Sequence, residues 1–299
     1  MQEEGLDGSG SAVSGNGRCD VFYLYVTGVF AVLMALIPVF RGSAQPPWMI
    51  LFWAVLYCIY RFHLVPEKWK FLVAWGFLAM CYLLLHKITD VYAGPYHGED
   101  VYRFEKELFG VLPARWLQDL LLNGRESNWY DYPLALCHSV FFAFPVIAPW
   151  LIRREKGIPA MKRAILAFAI ITTAGYSVYI LWPLTPPWLL GQDGVVEPFK
   201  RCTFNALQHI IPGWLIGGAS GTPRAAMPSL HAGITLVMAM LLQRELGFKR
   251  SWWAWLFLIL ICFEIIYGAE HYITDIFFGF LLALTSCLLS GLPIFCQVD

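Results

Sequence analysis

The segments Met227-Pro228-Ser229-Leu230-His231 and His271-Tyr272-Ile273-Thr274-Asp275 set two histidines and a carboxylate at the ends of hydrophobic stretches. Ionisable side chains beside hydrocarbon are costly, so they are buried in a bundle, paired, or working. His271 and Asp275 are four residues apart, a spacing that on a helix puts both on one face within hydrogen-bonding reach. A carboxylate on one imidazole nitrogen fixes the tautomer and leaves the other nitrogen as a nucleophile. His231 opens another hydrophobic segment and can converge on the same phosphorus. One histidine then attacks while the other protonates the departing alkoxide, help that is typically worth ~100- to 10,000-fold. Ser229 can donate to a phosphoryl oxygen, the amides that follow Pro228 at a helix start favour an anion, and Arg224 is the nearest permanent cation. The pattern points to phosphate chemistry on a lipid.

The elements that must position these groups are membrane helices. Hydrophobic residues make up 58% of the chain and charged ones 14%, a balance that soluble domains rarely show. About eight apolar segments approach the roughly 20 residues a bilayer core requires: 21–40, 47–65, 69–89, 131–152, 161–181, 227–244, 252–267 and 271–292. They are long and apolar all round rather than short and alternating, so the predicted fold is an all-α polytopic integral membrane bundle. Starting inside, the cytoplasmic face receives Arg18, then Arg61, Lys68 and Lys70, then Arg153, Arg154, Lys156, Lys162 and Arg163, and last Arg244, Lys249 and Arg250. That bias places both termini in the cytoplasm and both histidines on the extracytoplasmic or lumenal side. Residues 1–20, rich in Gly and Ser, read as a flexible cytoplasmic tail rather than a cleavable leader. Residues 21–90 carry three N-terminal spans, and 91–299 form the catalytic membrane domain.

Two long outer loops remain. In the first, residues 101–122 read as an interfacial amphipathic helix with Tyr102, Glu105, Phe109, Leu112, Trp116 and Leu120 on one face. The second opens with Pro183-Leu184-Thr185-Pro186-Pro187-Trp188, where three prolines end the preceding span and shape a rigid platform beside the histidines.

Other chemistries leave weaker marks. The eight cysteines lack CxxC spacing, and most lie inside apolar spans as core residues. The thirteen tryptophans gather near span ends, as an interfacial belt does, and need no cofactor. There are no repeats, no glycine-rich phosphate loops and no basic runs suited to nucleic acid. The zero net charge identifies no partner, and no feature specifies an oligomeric state. A His/His/Asp metal site is a competing reading, although no close pair of ligands suggests a preformed chelate. A transporter or channel lining is another, weakened by the absence of other ionisable residues from the middle of the spans, apart from Glu264.

Pro228-Ser229-Leu230-His231 and His271-x-x-x-Asp275 resemble the second and third motifs of the type 2 phosphatidic acid phosphatase superfamily. Pro183 to Trp188, Ala226 to Gly233 and His271-Tyr272-x-x-Asp275 together are similar to its inositol phosphorylceramide synthase-like branch. Arg103-Phe104-Glu105, Leu108-Phe109-Gly110, and Asp131-Tyr132 with His138 look like that branch's upstream segments. The resemblance implies a metal-independent membrane enzyme working through a phosphohistidine, with His271 as nucleophile, Asp275 as its orienting partner and His231 as acid/base. The superfamily's phosphatases carry a Lys and Arg first motif and an Arg six residues before the nucleophile. Here Ile265 stands at that second position, Leu230 replaces their Gly, and no first motif is recognisable. The expected activity is therefore transfer of a phosphorylated head group, such as inositol phosphate, from a phospholipid donor to a lipid alcohol such as ceramide or diacylglycerol. Lipid phosphatase or phosphodiesterase action, with water as acceptor, is the alternative. Ser229, Arg224, Asp131, His138 and Trp188 are expected on the substrate side, with His138 read equally as a helix-packing hydrogen bond.

Overall fold

Apolar periodicity and punctuation by Gly and Pro build a helical protein, described by a computed structural model over residues 96–210 and 224–291. The predicted tail and the first three predicted spans lie outside the described residues. In chain order the helices are α1 (Glu99–Phe109), α2 (Pro113–Leu122), α3 (Asp131–Phe141), α4 (Phe144–Leu181), α5 (Pro187–Gln192), α6 (Cys202–Ile210), α7 (Leu230–Leu246), α8 (Phe248–Tyr267) and α9 (Ile273–Leu289).

Helix α7 is the hub, packed against α4, α8 and α9. Its sequence is apolar on every side from Leu230 to Leu242, and nearly all of those residues are buried. A helix of that kind has no solvent face and belongs at the centre. Among the described residues, Phe144–Tyr179 and Phe248–Tyr267 are long and apolar enough to cross a membrane, and Ile273–Leu289 is a shorter apolar helix.

The expected break between the spans ending at 152 and beginning at 161 falls at Gly157, whose non-helical φ 77°, ψ −174° divides α4 into two helical stretches. Phe142 and Ala143, between α3 and α4, keep right-handed helical angles, so the first of those stretches carries on from α3 as the span over 131–152 predicts. One sequence expectation needs correction. The predicted single amphipathic helix over 101–122 is two helices. Gly110 ends α1 at φ 78°, and Leu112, extended as residues before proline are, hands over to Pro113 at the start of α2. The predicted common face splits accordingly: Glu105 and Leu112 are buried, whereas Phe109, Trp116 and Leu120 are exposed.

The proline-built segment is a platform held on both edges. Thr185 N–H donates to His97 O at 2.8 Å, His97 N–H donates to Pro183 O at 3.1 Å, and Ala226 N–H donates to Leu184 O at 3.1 Å. Trp188 N–H donates to Ala269 O at 3.1 Å, which joins the platform to the turn carrying His271.

Candidate active site

The two motif-bearing helices meet at their N-terminal ends through glycine. A Cβ on Gly279 of α9 would lie 2.4 Å from Ser229 O, and one on Gly233 of α7 would lie 2.8 Å from Gly279 O. Only hydrogen at both positions permits this approach. The ends are also bonded, with Ser229 N–H donating to Asp275 O at 2.9 Å. The Tyr179 hydroxyl donates to Pro228 O at 2.8 Å and fixes the entry to α7 from α4.

His271 lies in the turn between α8 and α9. Ala269 takes φ 57°, and the N–H groups of Glu270 and His271 both donate to Ile265 O, at 2.9 and 3.1 Å. A side chain on Gly268 would meet Thr203 Oγ1 at 2.7 Å, so the turn is pressed against α6. The His271–Asp275 contact exists, at 3.2 Å between Nδ1 and Oδ2, but not on a helix face. Tyr272 is the N-cap of α9 and Asp275 the third helical residue. Oδ2 of Asp275 also accepts the Tyr272 N–H at 2.8 Å. The four-residue spacing thus folds into a capping arrangement, because a carboxylate at that position satisfies an otherwise orphaned amide.

With the carboxylate accepting, His271 Nδ1 carries the hydrogen and Nε2 presents its lone pair. That nitrogen faces His231 Nδ1 at 3.2 Å. His231 sits on the first turn of α7, its imidazole against His138 (ring centroids 4.8 Å apart) and Phe141 (4.5 Å). His138 Nδ1 in turn lies 2.9 Å from Oε2 of the buried Glu264. Three histidines therefore stand in a row with a buried carboxylate at each end: Glu264, His138, His231, His271, Asp275.

The remaining predicted site residues divide. Ser229 is fully buried and caps α7, its hydroxyl accepting from Ala232 N–H at 3.4 Å. Asp131 is also fully buried, accepting from the Tyr267 hydroxyl at 2.9 Å and from Asn128 N–H at 2.7 Å. Both brace the frame. Arg224 is held in an ion pair with Asp193 at 3.3 Å and over the Tyr96 ring at 4.1 Å. Trp188 carries a different cation: the guanidinium carbon of Arg201 lies 3.9 Å from its ring centroid.

Sequence reasoning missed three residues. Glu105, almost completely buried, reaches from α1 to accept the N–H and hydroxyl of Thr274, at 2.6 and 2.8 Å, and so caps the helix that holds Asp275. Burial pushes its carboxyl above the ordinary Glu range, against the lowering effect of both Thr274 bonds. Arg201 and Glu270 form an ion pair at 2.7 Å next to His271. The signals were present, since Glu105 lies in the Arg103-Phe104-Glu105 segment and Glu270 directly precedes His271. Among the described residues, no group of three His, Cys, Asp or Glu side chains is arranged to hold a metal ion.

A family model described as the PAP2 superfamily matches residues 99–289, more than half of the chain. No curated protein and no solved structure matches it. The matched region opens at α1 and closes with α9, so it holds the whole histidine row and the Glu105 cap. Superfamily members are typically membrane-embedded phosphatases and phosphotransferases, in keeping with the two long apolar helices. The chain belongs to the PAP2 superfamily, and its membership makes it an enzyme of the phosphatase/phosphotransferase type that acts on lipids.

Proposed function

We propose that this enzyme is a metal-independent lipid phosphotransferase that moves a phosphorylated head group, such as inositol phosphate, from a phospholipid to a lipid alcohol such as ceramide or diacylglycerol. The observation that carries the reading is the aligned chain Asp275 Oδ2, His271 Nδ1, His271 Nε2, His231 Nδ1, with both gaps at 3.2 Å. It supplies an oriented nucleophile and an acid/base in direct contact. Substrate phosphorus must take the place of His231 at His271 Nε2. A nitrogen–phosphorus bond then forms as the phosphorus–oxygen bond to diacylglycerol breaks, and the His231 imidazolium gives its proton to that oxygen. In the second half His231, now neutral, takes the proton of the acceptor hydroxyl. The new oxygen–phosphorus bond forms as the nitrogen–phosphorus bond breaks.

Transfer rather than hydrolysis is supported by the missing cations of the phosphatase motifs, with Ile265 where those enzymes carry Arg and no recognisable Lys and Arg first motif. A phosphodiester carries one negative charge, whereas a phosphomonoester dianion needs more positive partners. Two carboxylates, Glu264 and Asp275, contact the histidines directly, at 2.9 and 3.2 Å. The site is read as opening on the extracytoplasmic or lumenal side of a multi-pass bundle, with both termini cytoplasmic.

The test uses the full chain purified in lipid, with a phosphoinositide labelled in its head group. Label passing to added ceramide or diacylglycerol is the expected result. Free inositol phosphate as the sole product replaces transfer with hydrolysis, and no turnover with any phospholipid rejects the enzyme reading of this site. Addition of EDTA is expected to leave the rate unchanged, and a loss that divalent metal restores would reinstate a metal site.

A further inference from the structure

Beside the histidine row lies a cation that no motif assigns. Arg201 precedes α6, and its backbone is fixed from α2: the buried Gln118 donates from Nε2 to Lys200 O at 2.7 Å and to Tyr267 O at 2.8 Å, while Lys200 N–H donates to Gln118 Oε1 at 3.1 Å. The Arg201 side chain is equally fixed. Its Nε and Nη2 donate to the same oxygen of Glu270, at 2.9 and 2.7 Å, and its guanidinium carbon rests 3.9 Å from the centroids of both Trp188 and Phe204.

This arrangement restricts what the guanidinium can do next. One edge is taken by Glu270 and the planar surface is covered by aromatic rings. The Nη1 group has no acceptor among the described residues, and the side chain keeps one fifth of its surface exposed. A guanidinium held flat with a donor edge left over is a preformed receptor for a phosphoryl oxygen. Two relations tie it to the turn that carries His271. Glu270 adjoins His271 in the chain, and Trp188, whose ring Arg201 covers, donates its backbone N–H to Ala269 O at 3.1 Å. Arg224, the cation favoured by sequence position, is engaged with Asp193 and Tyr96 instead.

We propose that Arg201, braced by Glu270, Trp188 and Phe204, binds a non-bridging oxygen of the phosphoryl group that His271 attacks. It supplies the positive charge that the missing phosphatase motifs would otherwise provide. The inference rests on the phosphoryl-transfer reading of His271. Glu270 has a defined part: it anchors one guanidinium edge and offsets the arginine's charge, so the pair suits a singly charged phosphodiester.

Orthovanadate, which adopts the five-coordinate geometry of phosphoryl transfer, is the probe. Full-length protein in detergent is titrated with it, and affinity is read from the dependence of the unfolding midpoint on vanadate concentration. Wild type should be stabilised and His271→Ala should not. The double variant Arg201→Gln/Glu270→Gln leaves no unpaired charge behind, and its midpoint without vanadate reports that it is folded. It should bind about 10- to 100-fold more weakly, the worth of a charged hydrogen bond. Arg201→Lys, which keeps charge but loses the planar fork, should fall between. If the double variant keeps wild-type affinity while His271→Ala loses it, Arg201 does not touch the phosphoryl group and the role of His271 stands. If wild type shows no His271-dependent stabilisation, the phosphoryl-transfer reading fails and this proposal fails with it.

Discussion

His231 Nδ1 and His271 Nε2 lie 3.2 Å apart, so the proposed acid is held against the proposed nucleophile. The two nitrogens come from α7 and from the turn before α9, and neither has the freedom of a surface loop. His271 is almost completely buried and braced by Asp275, while His231 is packed by His138 and Phe141. The relationship separates the roles of the two residues experimentally.

His231→Ala should lower turnover of a natural lipid donor by ~100- to 10,000-fold, the range for losing a positioned general acid. An aryl phosphodiester, whose phenolate departs without a proton, should be much less affected. His271→Ala should abolish turnover of both. Measuring each variant with both substrates checks this, and an equal loss on the two donors for His231→Ala removes the acid assignment.

Gly279→Ala should disrupt the site from a distance. The added Cβ would lie 2.4 Å from Ser229 O, a backbone atom at the N-cap of α7, so the helices must separate. Overpacking of this kind costs typically 1–3 kcal/mol. The displacement also moves His231 relative to His271, so activity should fall more than the unfolding midpoint suggests. Thermal melts beside initial rates check the ratio, and a variant of unchanged rate argues that the close approach is not needed for chemistry.

What the sequence revealed and what it hid follow from contact range. The His271–Asp275 contact was legible because four residues of spacing bring two side chains together whether they share a helix face or straddle its N-cap. The route was not legible, since a carboxylate at the third helical position competes for the cap amide. The platform at Pro183 to Trp188 was legible from its prolines. The Glu105 cap joins residues 169 apart in sequence, and the Arg201–Glu270 pair joins residues 69 apart. No local pattern encodes either one. Apolar length marked α8 as a crossing helix, and the interruption of the apolar run at 153–160 marked the break that Gly157 makes between two helical stretches.

Glu264 and His138 should behave as a unit. Glu264 is nearly fully buried, and its Oε2 meets His138 Nδ1 at 2.9 Å. Replacing Glu264 by Leu alone leaves the imidazole without its carboxylate, and breaking a buried pair in this way costs about 3–5 kcal/mol. The double variant Glu264→Leu/His138→Leu should recover most of that stability. Catalysis should not recover with it, because His138 also supports the ring of His231. Full return of activity in the double variant would reduce the pair to packing.

Glu105 gives the chain a pH-dependent term outside the histidine row. Its folded-state carboxyl is pushed upward by burial, so protonation is easier in the folded protein than in the unfolded chain. The sign follows from linkage. Its stabilising contribution is fully present below the unfolded Glu value and is lost as pH rises through the raised folded value. Glu105→Gln keeps a side-chain oxygen to accept from Thr274 N–H and from the Thr274 hydroxyl, but it does not titrate. The unfolding midpoint of wild type should therefore decline relative to Glu105→Gln across the interval just above the ordinary Glu range, then run parallel to it at higher pH. Paired melts at closely spaced pH values measure the difference. A gap that stays constant through that interval means that the buried carboxyl titrates alike in both states, and the cap on α9 then works without a protonation cost.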